Sequence, residues 1–201
     1  MPFGASLLPE GGARFRLWAP GAQRVELCLD AASGPPLPMR VLDGGWTECT
    51  AATARAGDRY AFRIDGGLQV PDPAARFNAD DVHGPSMLVD PRAHAWCDAE
   101  WRGRPWHEAV VYELHVGTFT PRGTFIAAID RLDDLVQLGI TAIEMMPVAA
   151  FSGRRNWGYD GVLLFAPDAS YGTPDDLKAL VEAAHARGLM VLLDVVYNHF
   201  G

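Results

Sequence analysis

The sequence predicts two folds in tandem. Residues 1–90 read as an immunoglobulin-like antiparallel β-sandwich, residues 91–108 as a linker, and residues 109–201 as a parallel β-α-β-α-β segment. Three observations predict this. Through the first ninety or so residues, short runs alternate apolar and polar residues, and Gly, Pro and Asp punctuate them. Beyond residue 109 the runs become almost continuously apolar, as in parallel strands covered on both faces. Between those runs lie two stretches of helical period.

In chain order, ARFRLWAP, RVELCLD, LPMRVLD, GWTECTA and RYAFRIDG are the sandwich strands. Val25, Leu27 and Leu29 fall on one face against Glu26, Cys28 and Asp30. Tyr60, Phe62 and Ile64 repeat the pattern against Ala61, Arg63 and Asp65. PGAQ, SGPP, DGG and AGD are the turns, and VPDPAARFNADDVHGPS is a long irregular loop. The linker PRAHAWCDAEWRGRPWHE is rich in Trp, Pro and Arg. AVVYELHVGTF, ITAIEMMPV and LMVLLDVVYNH follow as three parallel strands. In TFIAAIDRLDDLVQLG, the residues Phe125, Ile129, Leu132, Leu135 and Val136 make the stripe of a single helix. In TPDDLKALVEAAHARG, Thr173 is placed to cap, Pro174 takes the first helical position, and Asp175 and Asp176 face the positive end of the dipole. Gly139 and Gly188 are placed to end the two helices.

Composition narrows the partners. The chain has 201 residues, of which 49% are hydrophobic, so it can build a core. Its net charge is −8, which speaks against nucleic acid or an anionic membrane, since phosphate binding needs a basic surface. No apolar run reaches membrane-spanning length, and the start has no secretory pattern. Cys28, Cys49 and Cys97 are widely spaced with no C-x-x-C, which reads as reduced thiols of a cytoplasmic protein.

Ligands of parallel α/β folds bind at the C-terminal ends of the strands. Three places qualify: His115 with Gly117–Thr120, the long stretch Ala149–Thr173, and Asp194–His199. The second crowds Arg154, Arg155, Asn156, Trp157, Tyr159 and Asp160 together. Aromatic faces beside planar hydrogen-bonding groups suit a sugar, which has an apolar C–H face and a rim of hydroxyls. The other reading is a self-packed Ω-loop plugged by Trp157. Asp194 sits inside an apolar run, where a buried carboxylate needs a cationic partner. Glu144 with Asp194 is the pair that a search for glycosidase carboxylates selects, although Glu144 reads as too deep. His115 reads as a packed histidine and His185 as a flank residue, and His94 has no partner pattern. Periodicity leaves an open doubly wound sheet and a piece of a barrel both standing; no G-x-G-x-x-G follows the first strand, which disfavours a nucleotide site.

VYELHVGTFT, NWGYDG and DVVYNH, in that order on three successive strands behind a sandwich, resemble the α-amylase family of glycoside hydrolases. The resemblance implies the first three strands and two helices of a (β/α)8 TIM barrel, preceded by an early-set, carbohydrate-module-like domain. It implies that Tyr159 is the aromatic platform at the sugar ring whose bond is cut and that His199 hydrogen-bonds that ring. Trp157 and Asp160 join them on the substrate. Asp194 would orient an Arg near the nucleophile, Asn198 would shape the turn, and Arg155 and Asn156 would support the loop. The family's nucleophilic Asp, acid/base Glu and third Asp stand on strands four, five and seven. No catalytic residue is therefore expected before Gly201, and the 201-residue segment alone is expected to be inactive. No cofactor is expected and no metal ligand is assigned; zinc is disfavoured, and calcium, which Asn198 would bind as in relatives that hold it, stays open.

Within the family, FSGRRNWGYDGVLLFAPDASYGTPDDL is most similar to enzymes that hydrolyse the α-1,4 bond next to the terminal trehalose of malto-oligosyltrehalose and release trehalose. The implied partner is that α-1,4-glucan oligosaccharide. Some debranching enzymes share WGYD and branching enzymes tend to read WGYQ, so a debranching or branching enzyme is the alternative. Outside enzymes, the alternative is an α-glucan-binding or interaction module.

Overall fold

The computed structural model describes residues 3–30 and 35–199. The chain divides into two compact units, one of Met1–Pro91 with Leu163–Ala166 and one of Arg92–Val162 with Pro167–Gly201. The turn expected at SGPP begins at Ser33 and Gly34, outside the described residues.

The first unit holds strands β1 (Gly4–Leu7), β2 (Ala13–Trp18), β3 (Val25–Leu29), β4 (Leu37–Pro38), β5 (Arg40–Val41), β6 (Trp46–Ala51), β7 (Arg59–Ile64), β8 (Gln69–Val70) and β9 (Ser86–Met87). One sheet runs β1-β2-β6-β5 and the other β4-β3-β7-β8, with β9 also on β7, all antiparallel. The sandwich is therefore as expected. Phe15, Leu17, Val25, Leu27, Tyr60 and Phe62 fill its core. Phe15 of one sheet meets Tyr60 of the other edge to face, with centroids 4.9 Å apart. LPMRVLD is not one strand: it divides into β4 and β5, one on each sheet, around the buried Met39. Pro38 has no N–H to carry a ladder through that point.

A polar network lies under this core. The Tyr60 hydroxyl donates to Asp72 Oδ2 at 2.7 Å, the Ala74 N–H donates to Asp72 Oδ1 at 2.8 Å, and the Asp72 N–H donates to Ser86 Oγ at 2.9 Å. Asp72 and Ser86 are fully buried. Burial pushes the Asp72 carboxyl above its ordinary value and the Tyr60 phenol well above its own.

The second unit holds β10 (Val111–Leu114), β11 (Ala142–Met145), β12 (Ala149–Ala150) and β14 (Met190–Leu193), while β13 (Leu163–Pro167) spans the boundary between the units. Its helices are α1 (Val116–Phe119), α2 (Phe125–Ile129), α3 (Leu132–Leu138) and α4 (Pro174–Ala186). β10, β11 and β14 form a parallel sheet in that order. Leu114, Ile143, Met145 and Val191 pack with Phe125, Leu132 and Leu180 of the helices.

Four expectations change here. Among the described residues the strands pack against helices through one face: Glu113 and Glu144 are register partners on the other, where Val111 is 41% exposed. The single helix over 124–139 is two, because the Arg131 N–H bonds Ala128 O three residues back and tightens the turn between α2 and α3. That break leaves Val136 at 40% exposure, off the buried stripe. The run AVVYELHVGTF ends as a strand at Leu114 and winds into α1. The caps stand as read: Thr173 and Asp176 close a reciprocal capping box, and Gly139 ends α3 in the left-handed conformation.

The segment before β10 is tied to α4. His185 Nδ1 lies 2.6 Å from Asp98 Oδ2 and its ring stacks on Trp101, with centroids 4.8 Å apart. His94 Nε2 stands 3.5 Å from Glu182 Oε2. The Asp98 partner of His185 lies too far away in sequence to be read there.

Candidate sugar-binding site

The parallel strands end together, which is what makes a rim. The Met146 N–H donates to Leu114 O at 3.0 Å and the Asp194 N–H to Met145 O at 2.9 Å, so the ladder holds one residue beyond each strand. Asp194 therefore stands just past β14, half-buried rather than sealed in the strand.

The loop after β11 is built from within. Val148 O accepts from the Asp168 N–H at 2.8 Å, and Asp168 Oδ2 accepts from the Phe151 N–H at 3.1 Å. Asp168 Oδ1 takes the Ser170 N–H at 2.9 Å and the Ser170 hydroxyl at 2.5 Å. Asp168 is buried, and the sequence offered no sign of this role beyond an Asp two residues before a Ser. Tyr171, also buried, packs against Phe125 and Phe151. Burial, with the Asp168 charge, pushes its phenol up to about 12.

At the tip, Asn156 Oδ1 accepts from the Gly158 N–H at 2.5 Å and the Asp160 N–H at 3.5 Å, closing an Asx-type turn around Trp157. Gly158 has φ 105, and a Cβ there would lie 3.0 Å from Pro147 Cδ, so the position calls for glycine twice over. The turn carries its aromatic residues outward. Trp157 is 83% exposed and Tyr159 45%. Among the described residues Trp157 is thus not packed into its own loop.

Two adjoining hollows flank the turn. One of about 740 Å³ is lined by His115, Arg154, Arg155, Trp157, Asp160 and Tyr171 among others. One of about 390 Å³ is lined by His115, Thr118, Met146, Asn156, Trp157 and Tyr159. Together they present an apolar aromatic face and a rim of guanidinium, carboxylate and amide groups. His199 reaches the turn from beyond β14, with Nε2 2.8 Å from Tyr159 O. Of the expected residues, the fold thus gathers Arg155, Asn156, Trp157, Tyr159, Asp160 and His199. Asp194 and Asn198 line neither hollow, and Asn198 is exposed. Thr118 and Tyr171, which lie in the expected stretches but were not singled out there, also line the hollows. Among the described residues no group of three or more His, Cys, Asp or Glu side chains is placed to hold a metal ion. No helix among them is long and apolar enough to cross a membrane.

Comparison with known proteins places this geometry. The alpha amylase catalytic-domain family matches residues 74–201, and carbohydrate-binding module 48, the isoamylase N-terminal domain, matches residues 2–83. The chain is 51% identical over 199 residues to a malto-oligosyltrehalose trehalohydrolase of Deinococcus radiodurans, covering 98% of this chain and 32% of that protein. Among solved structures, a putative alpha amylase from Salmonella typhimurium superposes with a TM-score of 0.95 at 51% identity, over 99% of this chain and 34% of that one. A pullulanase from Paenibacillus barengoltzii, in complex with maltohexaose and α-cyclodextrin, superposes with a TM-score of 0.83 at 29% identity, over 98% of this chain and 38% of that one. The chain spans about a third of the length of the relatives it matches.

Proposed function

We propose a function from one established premise: the chain belongs to the α-amylase family, whose catalytic-domain model matches most of it. The protein is a glycoside hydrolase that cleaves the α-1,4 bond next to the terminal trehalose of malto-oligosyltrehalose and releases trehalose. The observation that carries this reading is the 51% identity to a malto-oligosyltrehalose trehalohydrolase, which runs through both units. The present stretch supplies the side of the site that holds sugar. Trp157 and Tyr159 offer ring faces to the C–H face of a glucose unit, and Asp160, Arg155 and His199 stand where hydroxyls would be met. Asn156 shapes the turn, and Asp194 and Asn198 sit at the rim as supporting residues. The chemistry is retaining hydrolysis by two carboxyl groups about 5–5.5 Å apart. Neither is assigned within these residues. Glu144 lies on the strand face beside Glu113, not in either hollow. A cytoplasmic setting fits Cys28, Cys49 and Cys97, none of which is in a disulfide.

A debranching enzyme is the second reading, favoured by the WGYD turn and by the likeness to a pullulanase. One assay separates them. The full-length protein is given malto-oligosyltrehalose and, separately, pullulan. Trehalose from the first with no reducing ends from the second is expected; the reverse result refutes the trehalose reading.

A further inference from the structure

We propose that His115 is a positioning residue that hangs the sugar-holding turn from the end of β10, with His199 as its counterpart from beyond β14. This rests on the reading of residues 154–160 as the sugar-holding turn. His115 Nε2 lies 2.7 Å from Asn156 O, and His199 Nε2 lies 2.8 Å from Tyr159 O. A carbonyl oxygen only accepts, so in each pair the histidine nitrogen carries the hydrogen. The two bonds fix the backbone immediately before Trp157 and at Tyr159. They leave both aromatic side chains unengaged and pointed outward. Asn156 Oδ1 closes the same turn from inside, so the turn is fixed as one piece: a bond at either end positions Trp157.

The ring of His115 borders both hollows, and its hydrogen bonding is directed at the turn. Its Nδ1 is buried with no partner among the described residues, and its other polar neighbour, the Tyr171 hydroxyl, is 3.5 Å from the same Nε2. Among the described residues Asn156 O is therefore the nearer of the ring's two hydrogen-bond partners. Its orientation is set by packing. The Tyr171 ring lies edge-on at 6.0 Å, and Gly117 leaves the room the two rings occupy. A Cβ at residue 117 would come 2.9 Å from Tyr171 Cε1 and 3.0 Å from His115 Cε1. A histidine at a strand end, a glycine two residues on and a tyrosine before α4 thus act together on a turn that none of them belongs to.

The test uses the full-length protein and three variants: His115→Leu, His115→Gln and Gly117→Ala. The second keeps an N–H at about the reach of Nε2; the third displaces the ring without removing it. Amide exchange of the peptide spanning residues 152–162 is expected to rise on the order of tenfold in His115→Leu and Gly117→Ala, with α4 unchanged, and to return to within about twofold in His115→Gln. KM for malto-oligosyltrehalose should rise by a similar factor with kcat within about twofold, as for lost uniform binding. Unchanged exchange at 152–162 in both His115→Leu and Gly117→Ala overturns the proposal. So does a rise shared equally by α4, which would mean general loss of packing. If the unaltered protein releases no trehalose, the function proposed above fails, and the exchange measurements still decide whether His115 anchors the turn.

Discussion

The Tyr60–Asp72 network and the Asn156 turn are both polar constructions with aromatic residues, and they are built in opposite senses. In the sandwich the polar groups are consumed inside the core and the rings face inward: Asp72 takes the Tyr60 hydroxyl and the Ala74 N–H, and its own N–H goes to the buried Ser86. In the turn the bonds go to backbone atoms, through Asn156, His115 and His199, and the rings of Trp157 and Tyr159 face out. The first arrangement satisfies itself and has nothing left to offer a ligand. The second fixes a backbone so that side chains can be offered. A buried satisfied network is a stability device; an anchored backbone with exposed aromatic residues is a recognition device.

Removing one member of each should separate the two roles. Asp72→Ala leaves the Tyr60 hydroxyl and the Ala74 N–H buried without an acceptor. The expected cost is roughly 2–3 kcal/mol of folding stability, read by urea unfolding, with malto-oligosaccharide affinity unchanged. A stability loss under half a kcal/mol would mean that the buried carboxylate costs as much to desolvate as its bonds return.

Trp157→Ala should do the reverse. Stability should stay within about 0.5 kcal/mol, since the side chain is mostly exposed. Affinity for maltohexaose, measured by calorimetry on the full-length protein, should fall on the order of tenfold or more, as for aromatic anchors elsewhere. An unaltered affinity would remove the turn from the binding surface.

The two regions also differ in how far the sequence discloses them. Period-2 alternation located β2, β3, β6 and β7, because the apolar residues of each alternate with polar or small ones even where, as at Glu26 and Ala61, the second face is also buried. It missed β1, whose Gly4 and Ala5 carry little hydrophobic signal, and β13, which sits inside what reads as a loop. It missed the Tyr60–Asp72 pair, since nothing local says that a loop Asp will be buried beneath a strand Tyr. The turn was legible for a different reason. Arg154 to Asp160 concentrate recognition chemistry in adjacent positions, so Asn156, Trp157, Tyr159 and Asp160 could be named without the fold. What holds them could not. His115 reaches Asn156 and Tyr171 across 41 and 56 residues because the fold brings the end of β10 beside the loop after β11, and Asp168 closes that loop from 17 residues away.

A last comparison sets the buried carboxylate against an exposed one. Asp133 of α3 meets Arg187, at the end of α4, through two bonds of 2.8 and 3.1 Å. The guanidinium holds this carboxyl below its ordinary value, whereas burial holds Asp72 above it. The signs of the pH effects are therefore opposite. Because the folded form of Asp133 holds its proton less tightly than the unfolded chain, its contribution is fully present above the ordinary value of 3.8 and is lost as pH falls through the lower, folded value. Asp72 behaves inversely: its folded form holds the proton more tightly, so its contribution falls as pH rises from 3.8 towards the raised value. The Asp133 effect is the smaller, because the pair is exposed and salt screens it. Carbon NMR titration of the two carboxyls should show midpoints on opposite sides of 3.8. Arg187→Gln should move the Asp133 midpoint up and leave Asp72 where it is. A midpoint of Asp133 that ignores the substitution would mean that the two helices are not joined by this pair in solution.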